Sequence, residues 1–368
     1  MHLYIHVPFC ARRCSYCDFA IAVRRNTPSR EFLQVVLREW ERWQRHPGWL
    51  ESPELETVYL GGGTPSRLEP EVLGDLLGRL GADRPLSRDA EITIEANPED
   101  VTLRTVESWL AAGINRVSLG AQSFSPAALA WMHRTHTAAQ IARAVEAVRA
   151  AGARNVSLDL IYGLPDAVVR DWIADLEHAL ALAPAHLSLY GLTVEPRTPL
   201  ARWIARGQTV PAPDERSARE YLAAHERLAR AGYEHYEVSN AARPGFRSRH
   251  NQAYWSRRPY LGIGPSAHSG FGRTRSWNLP AWEEYRARLL SGESATAGAE
   301  TLDDVQVALE ELYLGLRTDG GIAAASLDPV VARTWQEAGW AVGDSGRVRL
   351  TAAGWLRLDA LVASLTHC

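Results

Sequence analysis

Three cysteines, Cys10, Cys14 and Cys17, crowd into eight positions near the N-terminus, and the remaining cysteine of the chain is Cys368. Thiolates spaced this way on one loop can hold three corners of a cubic metal–sulfur cluster and leave the fourth metal open. Two other readings stand beside that one. A zinc site would be incomplete, because no fourth Cys or His is close in sequence, and the cysteines could also be unreactive core residues. Four cysteines in 368 residues are too few for a disulfide framework. Cys368 reads as a free exposed thiol.

Other groups are also placed to do chemistry. "GGGTPS" strips the backbone of side chains at Gly61, Gly62 and Gly63, just before Thr64, so a ligand can approach main-chain atoms closely. It is not a phosphate loop, since all forty basic residues are arginine. The same absence of lysine removes Schiff-base chemistry. Glu95, Gln122, Arg134 and Asp159 are polar groups on or just after apolar runs, where they need partners: a bound ligand or one another. "HNQAYW" supplies His250, Asn251, Tyr254 and Trp255, an imidazole able to ligate a metal and rings able to pack on a flat ligand. Arg243, Arg247, Arg249, Arg257 and Arg258 flank it. The alternative for this stretch is a structured loop with solvated arginines. His268 is a second candidate imidazole. It follows "GIGPSA", which matches a dinucleotide fingerprint in form only, because "HSGFGRTRSW" cannot be the helix that fingerprint needs.

These groups must be carried by regular elements, and the elements are readable. Six runs rich in β-branched residues, "LYIHVP", "TVYLGGG", "EITIEANP", "RVSLGAQS", "NVSLDLIYGLP" and "HLSLYGLTVEP", alternate with helical stretches. Helical spacing is clear over 30–45, 102–112 and 138–151, and Gly113 and Gly152 end the last two. Alternation of this kind predicts an α/β fold with a parallel sheet, its chemistry at the strand C-termini. Six units do not close an eight-stranded barrel, so the expectation is a partial, open (β/α)6 TIM-like barrel over 1–205. A boundary at Pro211 and Pro213 introduces an extension over 206–285, with a helix over 214–231 and an irregular stretch over 240–280. The region 286–368 reads as a small winged-helix-like α+β domain. Net charge of -3 argues against a general nucleic-acid binder. No apolar run reaches membrane-span length and no signal peptide is visible, which makes the cytoplasm the default.

CxxxCxxC followed by an aromatic and Asp, as in "CSYCDF", resembles the cluster loop of the radical SAM superfamily. The resemblance implies a 4Fe-4S cluster and S-adenosylmethionine (SAM) chelated at its open iron, where one electron splits the sulfonium. It also implies that Gly61, Gly62, Gly63 and Thr64 hold the SAM amino group and that Glu95, Gln122, Arg134 and Asp159 meet the rest. Tyr4, Tyr16 and Phe19 would pack near the cluster. Within the superfamily, "YIHVPFC", "GGGTPS", "IEANPE", "SLGAQSF", "DLIYGLP" and "GIGPSAHS", in this order, resemble the branch of oxygen-independent coproporphyrinogen III oxidase and its haem-chaperone relatives. The oxidase extends the motif to a fourth cysteine where this chain has Phe19, and it carries a long segment before the cluster where this chain has nine residues. HNxxYW marks the chaperones. That branch implies haem as a third cofactor, ligated by His250, with arginine forks on its propionates. It implies delivery to apo-haemoproteins of the respiratory chain, a flavodoxin- or ferredoxin-like reductant, and a homodimer. The enzyme alternative, decarboxylation of coproporphyrinogen III, is disfavoured by Phe19.

Overall fold

The computed structural model describes residues 1–50 and 54–365. The expectation for Cys368 lies outside them. Six strands follow one another both in the chain and across the sheet: β1 (His2–Val7), β2 (Leu55–Gly62), β3 (Leu86–Ala96), β4 (Arg116–Gln122), β5 (Asn155–Tyr162) and β6 (His186–Gly191). Every neighbouring pair among them is parallel. The crossovers carry α1 (Ser29–Trp43), α2 (Pro70–Asp83), α3 (Leu103–Ala111), α4 (Ala138–Ala150) and α5 (Trp172–Ala181). Gly113 and Gly152 sit at φ 98° and 95° just past α3 and α4, where a side chain would be strained.

The strand register sorts the side chains into two faces. Leu3, Val58 and Ile92 share a row, as do Ile5, Leu60 and Ile94, and Val117, Val156, Leu158 and Leu187 continue that face. All lie in one core with Phe32, Val36 and Trp40 of α1 and Leu73, Leu76 and Leu80 of α2. Each such side chain contributes about 1.5–3 kcal/mol on burial. The opposite face is polar: Tyr4, Tyr59, Thr93 and Arg116 lie side by side, and Glu95, Ser118, Ser157 and His186 form the next row. Parallel strands are ordinarily apolar on both faces. A polar second face must find partners inside the fold or in a ligand.

The stretch 240–280, expected to be irregular, is mostly regular. It holds β8 (Asn240–Ala242), which with β7 (Glu234–Glu237) extends the sheet beyond β6. It also holds a short helix, α7 (Arg249–Trp255), after the helix α6 (Asp214–Arg230). Strands β9 (Tyr260–Ile263), β10 (His268–Phe271) and β11 (Thr274–Asn278), followed by β12 (Thr296–Thr301), extend the sheet beyond β1 to twelve strands. These strands are too short for periodicity to reveal them. Their close approach also depends on distant partners: a Cβ on Gly262 would lie 2.1 Å from the His268 carbonyl oxygen. The division at residue 285 falls inside a helix, Trp282–Leu290, and β12 still pairs with β11.

At the C-terminal end, helix Asp304–Leu316 precedes helix Pro329–Glu337, a hairpin of Ala341–Asp344 and Arg347–Leu350, and helix Leu358–Leu365. Ser345 and Gly346 turn the hairpin at φ 51° and 78°, the left-handed pair that a tight two-residue loop requires. Leu316, Trp335, Val348, Leu350, Trp355 and Leu361 form a second core, joined by Tyr221 of α6. No helix among the described residues is long and apolar enough to cross a membrane.

Candidate functional site

The cysteine loop leaves β1 through Pro8 and is closed at its base by backbone bonds from Ala22 to Pro8 (2.8 Å) and from Arg24 to Cys10 (2.9 Å). Its far side is tied down too. Ser15 N–H donates to Met132 O (3.4 Å), Leu200 N–H donates to Ser15 O (2.9 Å), and Arg197 donates to both oxygens of Asp18 (3.1 and 3.0 Å). The Thr64 hydroxyl donates to Cys10 Sγ (3.4 Å), and Arg134 Nη1 donates to Cys14 Sγ (3.6 Å). A cavity of about 580 Å³ opens beneath this loop at the C-terminal ends of the six parallel strands.

Nearly all the residues singled out on the first five strands meet there. Cys10, Cys14 and Cys17 line the cavity, with Tyr16 and Phe19 beside them. Gly62, Gly63 and Thr64 line it from β2, and Glu95, Gln122, Arg134 and Asp159 from the next three units. Gly61 is not part of the lining; a Cβ there would press on Tyr59, Tyr4 and Glu95, so this glycine serves packing. Tyr4 lies in a neighbouring cavity, its hydroxyl 3.2 Å from His6 Nδ1. His133, Thr135 and Tyr190 also line the cluster cavity. The first two had no sequence signal. Tyr190, directly before Gly191 at the end of β6, could have been found by its strand-end position.

The polar groups are strained electrostatically in a way that suits a ligand. Glu95 accepts from Tyr59 OH (2.9 Å) and from Gly62 N–H (3.0 Å), yet burial and the nearby Asp159 push its carboxyl up to about 7. Burial also raises Asp159, against the hydroxyl of Ser118 at 3.1 Å. Arg134 is held by Asn97 Oδ1 (2.6 Å) and Gly120 O (3.0 Å). Among the described residues no three His, Cys, Asp or Glu side chains converge on a single metal ion. Three thiols ringing one cavity, with no fourth protein ligand, is instead the donor set of a multi-iron cluster that takes one thiolate per iron. Burial pushes the Cys17 thiol up to about 11, so cluster assembly must expel protons.

Comparison with known proteins bears on what this cavity is for. The chain is 39% identical to a Synechocystis protein named heme chaperone HemW, over 89% of this chain and 80% of the relative. A HemW from Mycobacterium tuberculosis is 38% identical over 99% and 94%. The chain belongs to the HemW family. Residues 4–179 match the model of the radical SAM superfamily, which implies a 4Fe-4S cluster and SAM. A solved structure of coproporphyrinogen III oxidase (HemN) from Escherichia coli superposes with a TM-score of 0.81 at 21% identity, covering 98% of this chain and 88% of that one. At that identity the likeness concerns the α/β fold and its large, mostly parallel sheet.

The HNxxYW motif of this HemW-family chain sits elsewhere, and its geometry departs from the haem-ligand expectation. It is the helix α7, whose first N–H groups, those of Arg249 and His250, each donate to Glu91 at 3.1 Å. His250 is 1% exposed. Its Nδ1 is 2.6 Å from Thr57 Oγ1 and its Nε2 is 2.9 Å from Tyr254 OH. Burial keeps the ring neutral, and both nitrogens are occupied, so as placed it has no lone pair to offer iron. The flanking arginines are committed as well. Arg249 pairs with Asp89, Arg257 with Glu310 and Glu311, Arg258 with Glu56, and Arg247 with Glu234 and Asp319. Arg243 lies over the Tyr233 ring. Asn251 donates its N–H to the hydroxyl of the N-cap Ser248, and Trp255 lies under Arg317. The motif spacing was visible in sequence, but the carboxylates that absorb its arginines are scattered through the chain.

Proposed function

We propose that this protein is a haem chaperone: it binds haem and delivers it to apo-haemoproteins of respiration, using a 4Fe-4S cluster and SAM. Near-full-length identity to the HemW proteins carries the reading. Phe19 at the position of the oxidase's fourth cysteine argues the same way. Cys10, Cys14 and Cys17 would each hold one iron. Gly62, Gly63 and Thr64 would present backbone to SAM, while Glu95, Gln122, Arg134 and Asp159 surround it and Tyr16 and Phe19 cover it. A low-potential cluster held by the three thiolates would supply the electron for cleaving the SAM sulfonium. The fold reading that goes with this is an open partial barrel of six βα units, an extension built onto both of its edges, and a small winged-helix-like unit after β12. A flavodoxin- or ferredoxin-like reductant, a homodimeric state and a cytoplasmic location belong to the same proposal.

Two arms of one experiment test it. Anaerobically reconstituted protein is given haem and an apo-haemoprotein in one arm, and coproporphyrinogen III with SAM and reductant in the other. Haem transfer without formation of protoporphyrinogen IX is expected. Steady turnover to that porphyrinogen, with no haem transfer, would replace the chaperone by the oxidase.

The raised Glu95 carboxyl adds a proton linkage. A cationic ligand in the cavity favours the carboxylate, so SAM affinity should rise as pH increases through about 7. Near pH 7 part of Glu95 is protonated in the free protein, so wild type should release more protons than Glu95→Gln on binding SAM. Calorimetry in two buffers of different ionisation enthalpy measures this, and equal release from both proteins would remove Glu95 from the SAM site.

A further inference from the structure

A second cavity, of about 690 Å³, lies on the other side of the cysteine loop. Its size falls within the roughly 300–1,000 Å³ usual for cofactor sites. It shares Asp18, Phe19, Ile21, Gly62 and Glu95 with the cluster cavity, so residues 18–21 form the partition between the two. Tyr254, Tyr260 and Trp282 supply aromatic wall, and Phe19 stands at the partition 63% exposed, an unusual state for so large an apolar side chain. Two guanidiniums, those of Arg13 and Arg197, reach the same space. Arg13 donates to Cys17 O (3.2 Å) and Arg197, 80% exposed, pairs with Asp18, so each would trade a partner for a propionate; a surface pair such as that of Arg197 is worth little.

The motif "GIGPSAH", which the cluster chemistry leaves unused, delivers an imidazole into this cavity. Gly264 and Ser266 adopt φ 98° and 60°, and Ser266 does so without being glycine. Strain of that kind persists where the surroundings enforce it. Here the buried Glu39 accepts from Gly264 N–H (2.8 Å) and from Asn278 Nδ2 (2.6 Å), and Ser266 N–H donates to Leu279 O (3.0 Å). The turn ends at His268, which lines the cavity with its ring stacked on Trp277. Among the described residues its side chain makes no hydrogen bond. Partial burial lowers its pKa from the ordinary histidine value, which favours the neutral ring with a lone pair available. His250, by contrast, has both nitrogens occupied.

Building on the haem-chaperone reading, we propose that haem occupies this second cavity, with His268 as the iron ligand and Arg13 and Arg197 as partners of the propionates. The macrocycle lies against Phe19, Tyr254 and Tyr260, one wall away from the cluster. Tyr254 thus keeps a place at the haem, while His250 acts behind it by holding the Tyr254 hydroxyl.

Haem titration of the anaerobically reconstituted full-length protein, followed by its Soret band, tests the assignment. His268→Ala should weaken binding by about tenfold or more and shift the band, because the iron loses its imidazole. Added imidazole should restore the wild-type band in that variant, and His268→Met should give a third spectrum. Arg13→Gln should weaken binding with the band unchanged. His268 is exposed at the start of β10, and circular dichroism checks that its variants fold. Wild-type band and affinity in His268→Ala would overturn the placement while leaving the chaperone reading intact. No haem binding by wild type itself would overturn both.

Discussion

Cys14→Ala protein, reconstituted anaerobically beside wild type, should come off the desalting column with almost no iron or acid-labile sulfide. A cubane anchored by three thiolates already has one open iron; removing a second anchor leaves two irons without protein ligands, and the cluster falls apart or is never assembled. Cys10→Ala and Cys17→Ala should behave the same way. The loop itself should survive, because its base bonds at Pro8 and Cys10 are made by backbone and so are the bonds of Ser15 to Met132 and Leu200 on its far side. Iron and sulfide at the wild-type level in Cys14→Ala would return the cysteines to the status of core residues.

The second large effect concerns a glycine. A Cβ at Gly63 would lie 2.7 Å from the carbonyl carbon of Pro8 and 2.9 Å from the carbonyl oxygen of Val7. Those atoms are backbone and cannot swing aside. Gly63→Ala must therefore prise the end of β2 from the end of β1, breaking the Gly63 N–H bond to Val7 O (2.8 Å) and moving the strand that leads to Cys10. The expected cost is about 3 kcal/mol in urea unfolding of the apo-protein, the upper end for overpacking. Cluster occupancy should fall with it. Gly78→Ala is the control: it lies on α2, its Cβ would meet nothing within 4 Å, and it should gain about 0.5–1 kcal/mol. A wild-type midpoint for Gly63→Ala would mean that the contact between the two strand ends is looser than described.

The oxidase and chaperone readings also differ in the side chain expected at position 19. In this chain Phe19 forms part of the wall between two cavities.

Much of this protein is determined locally, and so was legible in the sequence. The runs rich in β-branched residues became β1 to β6, the 3.6-residue spacing became α1, α3 and α4, and Gly113 and Gly152 end helices at a positive φ that glycine tolerates. The cysteine loop was equally readable, because its three ligands sit within eight residues and their chemistry needs no distant partner. The polar face of the sheet was half visible: Glu95 and Asp159 stand out as polar groups on apolar runs, but that burial pushes both up depends on what covers them. Other features were decided by tertiary structure alone. His250 is an interior strut rather than a free ligand because Thr57, 193 residues earlier, meets its Nδ1. The arginines around it became ion pairs because Asp89, Glu56, Glu234 and Glu310 arrive from other elements. His268 faces a cavity because Glu39 on α1 fixes the turn before it, a contact spanning 225 residues to Gly264. Residue type and spacing determine what a side chain can bind; whether its polar atoms stay free to do so depends on which partners folding brings within hydrogen-bond distance, and those come from anywhere in the chain.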